Sequence, residues 1–236
     1  SLHSFVNSPG AELAVDYVIF TTGAGVVRKL DDELIYQLNL SAEMVSQTLG
    51  IMHENSLDFM LHHPVPDNHK YLFRRANNDN TDFESRIGRQ DGFGQALNGT
   101  HVNGFGEAAQ FLAIVPPDAI SDELEKARAV FPGLSVVLAT SPIDHQSGWI
   151  ELLHPDVSKG RTSAWLANEL GIDHRNTIAV GNDYNDLDLL EWAALSFVVE
   201  NAPDDLKSQF NTVSSNNDEG FAEAVDCWFE LQDRDF

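Results

Sequence analysis

Residues 176 to 186 have the sequence NTIAVGNDYND, and Leu187 to Leu190 follow directly. The run Thr177 to Val180 is short, apolar and rich in β-branched side chains, and it stops at Gly181, as a buried strand does. Behind the polar cluster the leucines at 187, 189 and 190 recur at helical spacing with Trp192. This stretch therefore predicts a strand, a tight turn and a helix.

The predicted turn carries an excess of oxygen-bearing side chains, namely Asn182, Asp183, Asn185 and Asp186. In an open parallel sheet, ligands bind beyond the carboxyl ends of the strands, and carboxylate and amide oxygens are ligands that Mg²⁺ prefers. Asn and Asp also form turns and cap helices, but one or two such residues suffice for that. We therefore expect a cation site here. A calcium loop of the EF-hand kind does not fit, because Asp188 stands where that loop needs glycine.

Composition limits the possible partners. The chain has 236 residues, of which 42% are hydrophobic and 22% charged, and its formal net charge is −23. Such a field repels nucleic acid and anionic membranes, so we expect neither as a partner. No apolar run approaches the roughly 20 residues of a membrane span. With Cys227 as the single cysteine, no disulfide can form within the chain, and a reducing cytoplasm is the expected location.

Because the chain is so acidic, an anionic substrate needs a local positive centre. Lys159 is the candidate, because Ser158 can cap the helix that follows it. A lysine in the first turn of a helix lies unfavourably against the helix dipole, so a ligand or an acidic partner should compensate it. A solvated lysine that points away from the site is the alternative.

The secondary-structure pattern changes twice along the chain. Val15 to Phe20 predicts a strand buried on both faces, and the small residues of the following turn, Thr22 and Gly23 among them, would let a ligand approach the backbone. An ordinary tight turn explains those residues equally well. After residue 154 strands and helices alternate, as in a parallel sheet. The expected elements there are helices Lys159 to Leu170, Asp186 to Trp192, a short one from Pro203 and Glu219 to Leu231, with strands Thr177 to Val180, Leu195 to Val199 and Thr212-Val213.

The middle of the chain lacks this alternation and predicts an α+β domain with an antiparallel sheet. Asn77 to Asn103 predicts long loops around one short helix. The other expected elements are helices Ser41 to Glu54 and Ser121 to Phe131 and strands Leu57 to Leu61, Tyr71 to Phe73, Gln110 to Val115, Leu134 to Ala139 and Trp149 to Leu153.

Two further groups of residues could carry chemistry in this middle region. His62 and His63 would point to opposite faces of a strand, so they predict no zinc site and a surface or core role instead. Several arginines could hold an anion or could equally be solvated. These are Arg74, Arg75, Arg86 and Arg89.

The turn at Thr21 to Ala24, the helix start at Lys159 and the segment Gly181 to Asp186 occur in an order that resembles the haloacid dehalogenase superfamily of phosphatases. The resemblance is to the Cof-like branch, in which a large cap domain is inserted into the core. It implies an α/β fold with a Rossmann-like core of parallel strands, made of residues 1–26 and 154–236, and an α+β cap made of residues 27–153. Asn201-Ala202-Pro203 is also similar to the family at that position.

The resemblance also implies a chemistry. Family members transfer a phosphoryl group through an aspartyl-phosphate with the help of Mg²⁺. By this resemblance Lys159 would neutralise the phosphoryl group, and Asn182, Asp183 and Asp186 would provide the metal site. Lys159 and the oxygen cluster each stand at the start of a helix at the rim of the same sheet, so the ammonium of Lys159 should lie close to the carboxylate of Asp186. Thr22, Gly23 and Asn185 would contact the substrate. The expected substrate is a small phosphorylated metabolite of the sugar-phosphate kind, and the oligomeric state is left open.

The sequence departs from the family at two places. Asn182 stands where the family has its first metal-site acid, so either Asn182 or Asp183 would bind the metal. No aspartate lies in the Asp-x-Asp-Gly-Thr context of the family nucleophile. We therefore expect a fragment that lacks about 40 residues before Ser1 and is inactive as it stands. The alternative is a non-catalytic ligand-binding or regulatory module.

Overall fold

The computed structural model of this chain describes His3 and residues 12–54, 57–76, 79–89, 92–97 and 104–232. The chain divides into two compact units, a first unit Ser1–Val157 and a second unit Ser158–Phe236. The predicted limits of core and cap stay a prediction.

The first unit begins with a small antiparallel sheet. Strand β1 (Tyr17–Phe20) pairs with β2 (Gly25–Arg28), which pairs with β3 (Glu33–Gln37). A 3-10 turn at Thr21–Gly23 joins β1 to β2. A connection this short can join only antiparallel neighbours. The prediction that this first strand is buried on both faces is wrong. Only Phe20 of β1 is buried, because β1 is an edge strand with one neighbour among the described residues.

A larger six-stranded sheet fills the rest of the first unit, in the order β6-β5-β4-β7-β9-β8. Its pairs are antiparallel except for β5 with β6. Its strands are β4 (Phe59–His62), β5 (Tyr71–Arg74), β6 (Gly94–Ala96), β7 (Gln110–Val115), β8 (Ser135–Thr140) and β9 (Gly148–Leu153). The α-helices among the described residues between 12 and 157 are α1 (Ala42–Glu54), α2 (Thr81–Arg89) and α3 (Ile120–Val130). The predicted antiparallel α+β region is confirmed.

Alternation along the strands gives this sheet two buried faces. One face, with Phe59, Phe111 and Leu152, packs with residues of α1 and α3. The opposite face, with Met60 and Leu112, packs against Phe83 of α2. Towards one end of that second face the apolar side chains give way to polar ones, which are described with the site below.

The second unit is a three-stranded parallel sheet with helices. Strand β10 (Ile178–Gly181) pairs with β11 (Leu195–Val199), which pairs with β12 (Asn211–Val213). The helices are α4 (Lys159–Glu169), α5 (Leu187–Trp192), α6 (Asp204–Lys207) and α7 (Gly220–Gln232). Leu190, Val198 and Ala224 lie in its core. The α/β pattern predicted after residue 154 is confirmed.

The structure differs from the predicted elements mainly where strands are short. Strands β2, β3 and β6 were not predicted from the sequence. Strand β2 follows a turn of small residues, and β3 and β6 have exposed polar positions. Within Asn77 to Asn103 the structure shows α2 and β6, while residues 77–78, 90–91 and 98–103 lie outside the described residues. In the described ranges no helix is both long and apolar enough to span a bilayer.

Candidate functional site

The strand-turn-helix segment of the second unit is built around the Asp186 side chain. Gly181 ends β10, and a Cβ atom at this position would lie 2.7 Å from the Cβ of Asp186. The Asp186 carboxylate turns back over the end of the strand, where its Oδ2 accepts hydrogen bonds from the backbone N–H of Asn182 at 2.9 Å and of Asp183 at 3.4 Å. Glycine is thus required at position 181 because the Asp186 side chain occupies the space beside it.

Asp183 forms the other half of a capping box. Its Oδ1 accepts a hydrogen bond from the backbone N–H of Tyr184 at 2.8 Å, at the start of the 3-10 turn Tyr184–Asp186 that leads into α5. Both residues are buried, each with 7% of its surface exposed. Reciprocal bonding of this kind satisfies the free N–H groups at a helix start. Asp183 and Asp186 therefore cap the helix and form the turn, in addition to any role in binding a ligand.

Lys159 lies at the start of α4, where Ser158 caps the helix by accepting a hydrogen bond from the Arg161 N–H at 3.1 Å. Its Nζ donates to Asp186 Oδ1 at 2.5 Å. The side chains are 26% and 10% exposed, respectively. A charge-assisted bond of this kind stabilises a fold by about 1.5–3 kcal/mol. The predicted proximity of Lys159 and Asp186 is confirmed, and the compensating acid for a lysine in the first helical turn is Asp186.

A second contact holds the starts of α4 and α5 together. Asp188 Oδ2 accepts a hydrogen bond from the backbone N–H of Gly160 at 2.7 Å. A Cβ atom at Gly160 would lie 2.4 Å from the Asp188 backbone oxygen. The two helices therefore approach at backbone distance beside Lys159, so Asp188 is a positioning residue for the lysine. This role of Asp188 was not predicted, because the contact joins residues that are 28 positions apart in the sequence.

Removing the Asp188 carboxylate should loosen this contact. We expect Asp188→Ala to lower the free energy of unfolding by about 1–3 kcal/mol, because the N–H of the buried Gly160 loses its acceptor. Asp188→Asn should recover most of that loss, because its amide oxygen can accept the same bond. Urea denaturation of the three proteins measures the difference, and an Ala variant as stable as the wild type would contradict the role.

The remaining predicted site residues of the turn differ in exposure. The side chain of Asn182 is exposed and that of Asn185 is half-buried. Thr22 and Gly23 belong to the first unit, where the Thr22 hydroxyl donates to Glu151 Oε2 at 2.5 Å. Contact of Thr22, Gly23 and Asn185 with a substrate, and binding of a metal by Asn182, stay predictions.

The donor atoms of the turn determine how well it fits a metal ion. In the part of the chain that the structure describes, no three Asp, Glu, His or Cys side chains are grouped so as to hold a metal. Asp186 already bonds to Lys159 and to two backbone N–H groups. Asn182 offers an oxygen but no charge. The all-oxygen chemistry of the turn suits Mg²⁺, but the described residues supply only part of a ligand set.

A second group of polar side chains lies on the six-stranded sheet of the first unit. His62 stands beside Gln110 of β7 and Tyr71 of β5 in the strand register. Its Nδ1 lies 2.8 Å from the backbone oxygen of Asn68. Burial, with the nearby Arg86 charge, lowers the pKa of His62 to about 3. The expectation that His62 has a core role is confirmed.

The low pKa of His62 predicts how the free energy of unfolding changes at acidic pH. The ordinary pKa of 6.5 applies in the unfolded chain, so between pH 6.5 and about 3 the unfolded state holds a proton that the folded state lacks. Stability from neutral His62 is therefore present above pH 6.5 and is lost as the pH falls, by at most about 1.4 kcal/mol per pH unit. We expect His62→Gln to lose about 2 kcal/mol less than the wild type between pH 6.5 and 4.5. Urea denaturation across this range tests it, and His63→Gln, whose imidazole is only partly buried, should show a smaller change.

The arginines of this region have different environments. Arg75 pairs with Glu84, and Arg74 donates to the His53 backbone oxygen at 3.1 Å. Arg86 lies with its guanidinium carbon 4.1 Å from the centre of the Trp149 ring, and its Nε donates to the thioether of Met60 at 3.3 Å. Burial lowers the pKa of Arg86. Anion binding by these arginines stays a prediction.

Comparison with known proteins relates both units to one family. Residues 3–225 match the model of the haloacid dehalogenase-like hydrolase family. A putative phosphatase of Haemophilus influenzae is 32% identical over 93 residues, which cover 39% of this chain and 33% of that protein. The 5-amino-6-(5-phospho-D-ribitylamino)uracil phosphatase YwtE of Bacillus subtilis is 34% identical over 106 residues, which cover 44% of this chain and 36% of that protein. The chain thus matches about a third of the length of these two relatives.

Among solved structures, the subclass IIB sugar phosphatase BT4131 has a TM-score of 0.69 at 15% identity, with 91% of this chain and 76% of that chain covered. At this identity the likeness concerns the fold alone. It confirms the predicted fold class, an α/β fold of the haloacid dehalogenase type with a parallel sheet and a cap.

Proposed function

The chain belongs to the haloacid dehalogenase-like hydrolase family, and we propose that it is part of a phosphatase. The proposed substrate is a small phosphorylated metabolite of the sugar-phosphate kind. Two similar proteins support the substrate class by their names, one a phosphatase of a ribityl phosphate and the other a sugar phosphatase. The contact that carries the proposal is the bond between Lys159 and Asp186 at the end of β10. The cytoplasm is the proposed location.

In this proposal Lys159 binds the phosphoryl group. Its ammonium has three N–H donors, and Asp186 accepts from one of them at 2.5 Å. The other two can donate to phosphoryl oxygens, and the positive charge offsets the negative charge of the substrate in an otherwise acidic chain. Asp186 holds the ammonium in place, and the contact between Gly160 and Asp188 fixes the helix from which Lys159 projects.

The reaction that we propose is attack of an aspartate oxygen on phosphorus. The bond from phosphorus to the ester oxygen breaks, the alcohol leaves with a proton from a neighbouring acid, and water then releases phosphate from the aspartyl-phosphate. No aspartate of this sequence stands in an Asp-x-Asp-Gly-Thr context, so the proposed nucleophile is an aspartate outside residues 1–236. Thr22, Gly23 and Asn185 are the proposed substrate contacts.

Mg²⁺ is the proposed cofactor. Asn182, Asp183 and Asp186 would contribute oxygen ligands, and further ligands would have to come from outside the described residues. When bound, the ion would offset charge on the phosphoryl oxygens.

The test is hydrolysis of p-nitrophenyl phosphate by the protein expressed from its complete coding sequence, with and without Mg²⁺. We expect phosphate release that EDTA abolishes and added Mg²⁺ restores. The control is the variant in which the nucleophilic aspartate is replaced by asparagine. Hydrolysis no faster than that of this control would overturn the proposal.

A second candidate is a binding or regulatory module without catalysis. The observation that favours it is the chemistry of the turn, where Asn182 brings no charge and both oxygens of Asp186 are engaged. The two candidates differ in the sequence encoded before Ser1. An in-frame Asp-x-Asp segment there supports the enzyme, whereas a start codon at that point supports the binding module.

A further inference from the structure

The polar end of the six-stranded sheet contains hydrogen-bond acceptors without donors. Among the buried side-chain atoms that have no hydrogen-bond partner in the described residues are three acceptors at this end, namely His62 Nε2, Asn68 Oδ1 and Gln110 Oε1. The three side chains are 3%, 4% and 7% exposed, respectively. His62 and Gln110 are directly opposite each other on β4 and β7, and the backbone oxygen of Asn68 contacts the His62 ring. We name these three residues the acceptor cluster.

The chemistry of His62 follows from its known partner. Because the backbone oxygen of Asn68 can only accept, the Nδ1 atom 2.8 Å away carries the proton. The neutral ring then has an unprotonated Nε2, which is an acceptor. All three atoms of the acceptor cluster therefore call for a donor, and leaving buried acceptors unbonded is unfavourable.

Arg86 adds donors beside the acceptor cluster. Its charge acts on both His62 and Glu151, and its Nε is directed to the sulfur of Met60, a weak acceptor. The other guanidinium N–H groups lie in a fixed fork and need oxygen acceptors. A ligand group that donates a hydrogen bond to the acceptor cluster and accepts one from Arg86 would satisfy the cluster and the arginine. A hydroxyl group can donate and accept in this way.

A strained turn adjoins the acceptor cluster. Thr21 and Thr22 have φ angles of 52° and 53°, a left-handed conformation that β-branched residues rarely adopt. Two side-chain bonds hold them there, from Asn68 Nδ2 to Thr21 Oγ1 at 2.5 Å and from Thr22 Oγ1 to Glu151 Oε2 at 2.5 Å. Strain of this kind persists where its surroundings enforce it, and it concentrates at ligand sites and switches. Loss of the Asn68 bond would remove one of the two side-chain contacts that hold the turn.

We infer that the acceptor cluster is a binding site for the hydroxyl groups of a polyol or sugar, in which His62, Asn68 and Gln110 accept from hydroxyls and Arg86 donates to a hydroxyl oxygen. The Thr21–Thr22 turn is its cover. This inference rests on the proposed function insofar as the ligand is the part of the substrate that carries no phosphate. All of its residues belong to the first unit, so it can be tested apart from Lys159.

The experiment observes His62 directly in the full chain. Histidine side chains are labelled with ¹⁵N, and the His62 signals are identified by their loss in His62→Gln. Ribitol is the probe, and 1,4-dioxane, which accepts hydrogen bonds but cannot donate them, is the matched control. We expect ribitol to shift the His62 Nε2 resonance saturably and dioxane to leave it unchanged. No shift with ribitol, or an equal shift with dioxane, would overturn the inference.

Two variants locate the binding. Gln110→Leu should weaken ribitol binding about tenfold, the factor for one lost hydrogen bond of ordinary strength. Gln95→Leu, an exposed glutamine on β6, should leave binding unchanged. Equal ribitol affinity in Gln110→Leu and the wild type counts against the site. Lys159→Met should keep ribitol binding and lose binding of inorganic phosphate, so a failure of the proposed function is distinguishable from a failure of this inference.

Discussion

Replacing Lys159 by methionine is expected to lower kcat/KM of the complete protein for p-nitrophenyl phosphate by roughly 10²- to 10³-fold. Methionine keeps an unbranched apolar stem but removes the ammonium that, in the proposed function, binds the phosphoryl group. An oriented charge at a partly buried site is worth more than one in water, and at 26% exposure Lys159 is partly shielded. The measurement is steady-state hydrolysis with Mg²⁺ present at saturation.

The matched control is Arg161→Met, which removes an exposed cation from the same helix two residues later. It should leave kcat/KM within about a factor of two, because exposed charges are screened by solvent and salt. Asp186 keeps its two backbone N–H donors in Lys159→Met, so the variant should fold. A Lys159→Met enzyme that is folded and as active as Arg161→Met would show that the lysine has only the structural role of pairing with Asp186.

The elements of the second unit were predictable because each has a local signal. The β-branched run at Thr177 to Val180 and the leucines after Asp186 gave β10 and α5, and Ser158 gave the start of α4. The expectation that Lys159 and Asp186 meet followed from the topology of a parallel sheet, whose strand ends share one edge. The capping box was also visible, because an acid three residues after Asp183 is its usual spacing.

What could not be predicted depends on contacts between distant residues. Nothing local to Asp188 indicates that its carboxylate reaches the N–H of Gly160, 28 positions away. The register that sets His62 opposite Gln110 is likewise non-local, because shifting a strand by one residue turns every side chain to the other face. The short strands β2 and β3 were missed because β2 directly follows a turn of small residues, and β3 is an edge strand whose two ends are exposed and polar. The chain reverses direction before β2 through the left-handed turn at Thr21 and Thr22. Threonine rarely adopts this backbone conformation, so the two threonines did not predict the turn.

Gly160→Ala is expected to lower the free energy of unfolding of the second unit by about 3 kcal/mol. The new Cβ would lie 2.4 Å from the backbone oxygen of Asp188 and 2.8 Å from its carbonyl carbon. Backbone atoms inside a helix cannot turn away as a side chain would, so α4 and α5 must separate. The higher helix propensity of alanine relative to glycine offsets only about 1 kcal/mol of this loss. Because Lys159 precedes Gly160, the same displacement should lengthen its bond to Asp186 and lower activity as well.

Gly50→Ala is the matched control, since Gly50 lies inside helix α1 and a Cβ there would meet nothing within 4 Å. That variant should be stabilised by about 0.5–1 kcal/mol through helix propensity and the reduced entropy of the unfolded chain. Urea denaturation gives both values, and the opposite signs are the test. If both variants are stabilised, α4 and α5 do not approach at backbone distance, and neither Gly160 nor Asp188 can be what holds Lys159 against Asp186.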